Sequence, residues 1–151
     1  MNRLQSLSKH LLKHTSLKRE QIHSYADNGE LRPLFMDWGN GFTVGRYKYD
    51  AVFELERFKG NAFELLALIN CWLDENDGER EQLELADPEI NVELNDRHTC
   101  DIELVIEFDE AVSIVEDPKG SIPFRGQRYR VENVPVDIAE AFQMEGETDV
   151  R

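Results

Sequence analysis

The chain has 151 residues, 40% of them apolar and 32% charged, which is enough apolar content for one core. No apolar run approaches the ~20 residues that a bilayer-spanning helix needs. The basic N-terminal segment MNRLQSLSKHLLKHTSLK spaces its apolar residues instead of massing them as a secretory leader does. The formal net charge is −14 and unevenly placed: residues 1–70 carry ten Lys/Arg against eight Asp/Glu, and residues 71–151 carry seven against twenty-three. That balance disfavours direct nucleic-acid binding, which depends on cationic groups displacing counterions. It suits either a solvated surface or one that meets a basic partner.

In chain order, Leu4, Leu7, Leu11 and Leu12 fall on one face of an N-terminal amphipathic helix. A second short helix is expected over residues 18–27, stopped by Asn28-Gly29. Residues 31–36 read as a short strand that Pro33 confines to a sheet edge. A loop at residues 37–41 (DWGNG) precedes a strand over residues 46–58. That strand sets Tyr47, Tyr49, Ala51, Phe53 and Leu55 on one side, with Lys48, Asp50, Glu54 and Glu56 on the other. Asn61 stands at the N-cap of a helix over residues 61–75, with Glu64 three residues on. Trp72 lies on its apolar face. The two cysteines, Cys71 on that helix and Cys100 at the head of a strand, read as buried free thiols, which points to the cytoplasm.

Beyond Asp77-Gly78 the chain becomes β. Ile90, Val92 and Leu94 alternate with Asn91, Glu93 and Asn95, and Ile102, Leu104, Ile106 and Phe108 alternate with acids. Residues 96–99 between them make a hairpin. Residues 111–115 extend the sheet, Asp117-Pro118-Lys119-Gly120 is a turn, and residues 121–131 add a strand pair around Gly126. A short helix over 137–144 and an acidic tail follow. The sum is one α+β domain over residues 1–132, with helices on one face of a mainly antiparallel sheet, and a partly frayed extension over 133–151.

The search for reactive chemistry finds none. His98-Thr99-Cys100 offers two ligands with nothing to complete a site, and His10 and His14 share a helix face as solvated residues commonly do. The acidic run Asp74, Glu75, Asp77, Glu79 and Glu81 lacks the order of a calcium loop. There is no G-x-S-x-G elbow and no phosphate-binding glycine loop. No catalytic residue, cofactor or metal is therefore expected. The candidates that remain are interface residues. Trp38 and Phe42 flank a Gly-rich loop, and Arg125, Arg128 and Tyr129 form a basic-aromatic cluster with Phe124 and Arg130 in the acidic half. Glu93, Glu103 and Glu107 stand on the outward face of the acidic hairpin.

Residues 46–76 carry a recognisable pattern: Arg46-Tyr47 opening the strand, Phe58 and Gly60 at the turn, and Trp72-Leu73 and Glu75-Asn76 ending the helix. With Asp27-Asn28-Gly29 upstream, the 101–108 strand and residues 110–120, this resembles the tail completion protein R (GpR) family of peduovirus-type contractile-tailed phages. The likeness covers roughly residues 1–120. It implies a non-enzymatic structural protein with a tail-terminator-like α+β fold, made in the host bacterial cytoplasm and carried in the virion tail. It implies partnership with the tail tube protein and head–tail joining proteins, and assembly as a homo-hexameric ring. An acidic inhibitor or DNA mimic that binds a basic partner is the competing reading of the charge.

Overall fold

The computed structural model describes residues 2–132. Its frame is a pair of long antiparallel strands, β2 (Gly41–Phe58) and β4 (Cys100–Glu116). Tyr49 lies opposite Phe108, Ala51 opposite Ile106, Phe53 opposite Leu104 and Leu55 opposite Ile102. Opposed residues of a strand pair share a face, so these eight side chains make one apolar surface, and all are buried. Each large one removed from water contributes about 1.5–3 kcal/mol.

The remaining strands build outward from this pair, all antiparallel. β1 (Ile22–Asp37) flanks β2, and β3 (Glu89–Leu94) flanks the first half of β4. β6 (Gln127–Val131) pairs with the far end of β4, and β5 (Ile122–Phe124) lies outside β6. Helices α1 (Asn2–His14) and α2 (Ala62–Asn76) cover the apolar face. The architecture is therefore mainly antiparallel α+β with its helices on one face, as the alternation of the sequence implies.

Each helix takes the face its sequence prescribes. Leu4, Leu7 and Leu11 of α1 are buried, while Leu12 is half-buried on its flank. Asn61 caps α2, its Oδ1 accepting from the backbone N–H groups of Phe63 (2.8 Å) and Glu64 (3.2 Å). Trp72 is buried edge-on to Phe108, with ring centroids 6.2 Å apart. α1 lies against β1, its Ser8 hydroxyl 3.2 Å from that of Ser24, and α2 lies over β4. The helices run antiparallel. Arg3 reaches the Asn76 carbonyl (3.4 Å) at one end, and His14 and Asn61 line a shared groove at the other.

Buried Asp77 locks this arrangement. Its carboxylate meets Arg3 at 3.1 Å and Arg80 at 2.8 Å, and Arg80 also donates to the carbonyls of Glu107 (2.8 Å) and Ala86 (2.6 Å). One residue thus ties α1, the end of α2, the 77–88 loop and β4 together.

Several expectations are corrected. Residues 18–27 form no helix: a 3-10 turn over Arg19–Gln21 leads straight into β1. Ile22, Ser24 and Ala26 pair with Leu55, Phe53 and Ala51, so pairing with a ready-made central strand overrides a weak local preference. Asn28-Gly29 is therefore not a helix stop. It is an irregularity in the β1–β2 register between Asp27 and Glu30, with Asn28 at φ 54° and its amide donating to Asp50 (2.9 Å). The short strand at 31–36 is the outer part of β1, on the sheet edge that Pro33 requires. Cys71 is exposed rather than buried, because it sits on the flank of α2 that lines the groove beside α1; Cys100 is buried. The row Ile90, Val92 and Leu94 on β3 shares the core face, yet the described residues leave it largely exposed. The expected helix over 137–144 and the 133–151 extension lie outside the described residues.

Replacing Asp77 by Ala leaves two arginines without their shared partner. It is expected to cost about 3–5 kcal/mol in urea unfolding; a loss below about 1 kcal/mol would show that the clamp is dispensable. A second expectation concerns pH. Burial first, then its hydrogen bond to the Glu110 carboxylate and that group's charge, raise the Tyr49 hydroxyl well above its ordinary 10.0. The unfolded chain therefore loses this proton first. The stabilising term is intact below pH 10 and falls as pH rises further, by up to about 1.4 kcal/mol per unit. Tyr49→Phe should flatten the alkaline limb of the stability–pH curve by one proton's slope.

Candidate functional site

Two surfaces of the sheet stand apart from the helix-covered core. The first is the strand end where the β1–β2 and β5–β6 hairpins turn. In the first hairpin, Gly39 takes φ 95°, and the Asp37 carboxylate accepts its N–H at 2.8 Å. Trp38 donates its indole N–H to Thr43 Oγ1 (2.9 Å), which in turn contacts the Ser113 hydroxyl at 3.0 Å. The indole is thus held by its polar edge while 60% of the residue stays in solvent. In the second hairpin, Arg125 and Gly126 both have positive φ (51° and 80°), the geometry that a two-residue hairpin turn requires.

The two turns bring their aromatic residues together. Phe42 meets Phe124 (5.2 Å) and Tyr129 (5.8 Å) edge-on, and Phe35 stacks on Phe124 at 6.1 Å. The Arg125 guanidinium lies over Phe124 (4.9 Å) and Phe42 (5.3 Å). Arg128 is exposed on β6 opposite Pro123. Five of the residues singled out from the sequence, Trp38, Phe42, Arg125, Arg128 and Tyr129, therefore lie at one end, and three of them, Phe42, Arg125 and Tyr129, are in the cluster itself. Tyr129 is buried and supports the cluster from beneath. Sequence reasoning passed over Leu31, Leu34, Phe35 and Met36, which are exposed on β1 beside the cluster. The available signal was the density of large apolar residues around Pro33, in a strand already assigned to an edge.

The base of the projecting hairpin is anchored by a buried carboxylate. Asp109 receives Arg46 Nε at 2.9 Å and Arg32 at 3.3 Å, and Arg46 also donates to the Asp109 carbonyl at 3.0 Å. Alongside, the Tyr47 ring covers Gly29 so closely that a side chain there would collide with it.

The second surface is the uncovered face of the sheet. Here Glu54 lies opposite Glu103, Asp50 opposite Glu107, Asp27 opposite Asp50 and Glu93 opposite Asp101. Like charges directly across a strand pair are destabilising, and this face holds four such pairs. Desolvation, followed by the charges of Glu54, Asp27 and Glu103, raises the Tyr25 hydroxyl. The Asp101 carboxyl is held below the usual range by hydrogen bonds from the Asn95 amide and the Arg57 N–H. Glu107 is partly occupied, accepting the Ala86 N–H at 2.8 Å and lying 3.6 Å from Lys48. Glu93 and Glu103 have no ion-pair partner within reach among the described residues. Nor, among those residues, does any group of three His, Cys, Asp or Glu side chains stand where it could hold a metal.

With this geometry established, the sequence matches a known family. The model for P2 phage tail completion protein R (GpR) matches residues 1–133. The chain belongs to the P2 phage tail completion protein R family. A relative from Haemophilus phage HP1 (strain HP1c1), described as an uncharacterized 19.2 kDa protein in the rep–hol intergenic region, is 31% identical over 104 residues. That alignment takes in 67% of this chain and 63% of the relative. No solved structure matches the chain. The protein is thus of a phage tail family, and no helix among its described residues is long and apolar enough to cross a membrane. The family pattern seen in the sequence acquires physical roles. Arg46 anchors the hairpin, Tyr47 covers Gly29, the Phe58 ring packs on Gly60 and Trp72 fills the core.

If the acidic face is kept at a cost in stability, relieving one of its opposed pairs should stabilise the fold. Glu103→Gln is expected to raise the unfolding free energy by about 0.2–1 kcal/mol. The gain should shrink as salt screens the face. A destabilised variant would mean that Glu103 serves the fold.

Proposed function

We propose that this protein completes the tail by capping the head-proximal end of the tail tube, where it prepares the end for head joining. The observation that carries the proposal is the aromatic strand end. Exposed Trp38 and Phe35, with Arg125 stacked over Phe124, are the residue types that anchor protein interfaces. They are held on two hairpins whose turns and bases are rigidly tied. This end meets the last ring of tube subunits, and the opposite end of the sheet presents a different surface to the head–tail joining proteins. A cap needs one surface that matches the tube and no second copy of it, so that the contact ends growth instead of propagating it.

The proposal includes a homo-hexameric ring with a tail-terminator-like arrangement, matching a six-fold tube. In that ring the acidic sheet face lines the lumen. Glu93 and Glu103 there repel the phosphate backbone, so DNA passes without adhering. The four opposed carboxylate pairs support this, since they weaken the fold and give the face an excess of negative charge. The same face also suits the alternative of an acidic inhibitor that mimics DNA toward a basic partner, which needs neither a ring nor a tube.

Electron microscopy of the cognate tail tube protein, assembled with and without this chain, separates the two. Capped tubes of limited length are the expected result. Bare, unaltered tubes together with tight, salt-sensitive binding to a host DNA-processing protein would favour the inhibitor. With capping established, Trp38→Ala combined with Phe35→Ala should lower cap occupancy on the scale of a hot-spot loss, about 2 kcal/mol or some thirty-fold. Glu93→Gln with Glu103→Gln should leave capping intact and reduce infectivity. Unchanged infectivity would remove the lumen role.

A further inference from the structure

We infer that the free edge of β3 receives the β1 edge of a second copy, so that neighbouring sheets join edge to edge into one closed wall. The inference rests on the ring proposed above and assigns the surfaces by which its subunits meet.

The sheet leaves two open edges at the same height. Ile22 pairs with Leu55, Leu55 with Ile102 and Ile102 with Val92; likewise Tyr25, Val52, Val105 and Glu89 follow one another across the sheet. Residues 22–25 of β1 and 89–92 of β3 are therefore level, and neither strand has a partner on its outer side among the described residues. Every step between them is antiparallel, so β1 and β3 run in opposite directions. Set beside the β1 of a neighbour, β3 forms an ordinary antiparallel pair. The helix layer stays on one side of the joined wall and the acidic face on the other.

Natural edges are usually blunted by proline, bulges or charge. Here Pro33 and both register irregularities of β1 lie in its outer half, beyond Asp27. Residues 22–26 carry no proline, bulge or carboxylate.

The β3 edge also exposes an apolar surface that the fold itself does not use. Ile90, Val92 and Leu94 oppose Leu104, Ile102 and Cys100, hence they lie on the helix-covered face, yet they are 37%, 43% and 79% exposed. α1 takes the β1 side of the sheet and α2 the β4 side, and the inner flank of α2 faces the groove it shares with α1. Helical spacing puts Phe63, 81% exposed, on the other flank, toward β3. What would cover these residues is the α1 of the neighbour, which lies against β1 with half-buried Leu12 on its outer flank.

Charge identifies the occupant as a second copy. With the internal Arg3–Asp77–Arg80 cluster set aside, residues 2–24, on the β1 side, carry Lys9, Lys13, Lys18 and Arg19 against Glu20 alone. Residues 74–99, on the β3 side, then carry nine acids against Arg97. The two edges are complementary to each other and repel themselves. That excludes a two-fold contact and leaves a head-to-tail contact, which closes into a ring when the rotation allows.

The test is cross-linking of a double variant, His23→Cys with Asn91→Cys, in a Cys71→Ser background. Both positions are exposed, on the open face and at the same height. A short bis-maleimide is applied to the free protein and to tube ends that it caps. A ladder of bands extending to the closed oligomer is expected in at least one of these settings, while an equal mixture of the two single variants stops at dimers. Capped tubes with no ladder, or either single variant linking to itself, would overturn the inference and leave the capping role standing. Bare tubes would remove the capping role, and this inference with it. As an independent check, Lys9→Glu with Lys13→Glu on α1 should lower the ladder yield several-fold. An unchanged yield from folded protein would refute the charge pairing of the two edges.

Discussion

The antiparallel pairing of β2 with β4 is the constraint on which everything else depends. It fixes which side chains form the core, because Tyr49, Ala51, Phe53 and Leu55 meet Phe108, Ile106, Leu104 and Ile102 in register. A slip of one residue would turn the charged row inward and the apolar row out, so the register is strongly specified. The same register forces Glu54 against Glu103 and Asp50 against Glu107 on the other face. The core and the acidic face are therefore two consequences of one alignment. The fold accepts the repulsion because the apolar face outweighs it.

The pairing also determines what can be displayed. β2 and β4 are long, and only their inner halves are needed for the helix-covered core. Their far ends continue past it and carry β1, β5 and β6 outward, so the aromatic cluster stands clear of the helices. The buried Asp109 with Arg32 and Arg46 stiffens the base of that projection. At nearly the same level of β4 but on the helix-covered face, Asp77 with Arg3 and Arg80 binds both helices to the sheet. Two buried carboxylates, each shared by two arginines, thus stand on opposite faces of the same stretch of β4, in a sheet whose open face sets four pairs of acids against one another. In each case the carboxylate is the buried member and the arginines retain partial contact with solvent, which limits the desolvation cost.

The aromatic end, the acidic face and the open strand edges point in different directions from one scaffold. In the role proposed for this member of a phage tail family, cap, lumen and subunit contact would therefore not compete for the same residues.

Much of this was legible in the sequence. The strict alternation around Tyr49 to Leu55, the Asn61 cap, the buried Trp72 and the hairpin at residues 96–99 are local patterns with one stable outcome each, and they settled the α+β class and the helix-covered face. The sequence could not settle residues 18–27. Their composition suits a helix or a strand equally, and only the free edge of β2 decides for a strand. It could not place Phe35 beside Phe124, since that meeting needs two hairpins to end at the same level of the sheet. Nor could it show that Ile90, Val92 and Leu94 stay uncovered: alternation reveals that a strand has an apolar face, but whether a helix reaches that face depends on where α1 and α2 come to rest. Local periodicity determined what each segment is. The tertiary arrangement decided which surfaces were left over, because exposure is a property of neighbours that lie far apart in the chain.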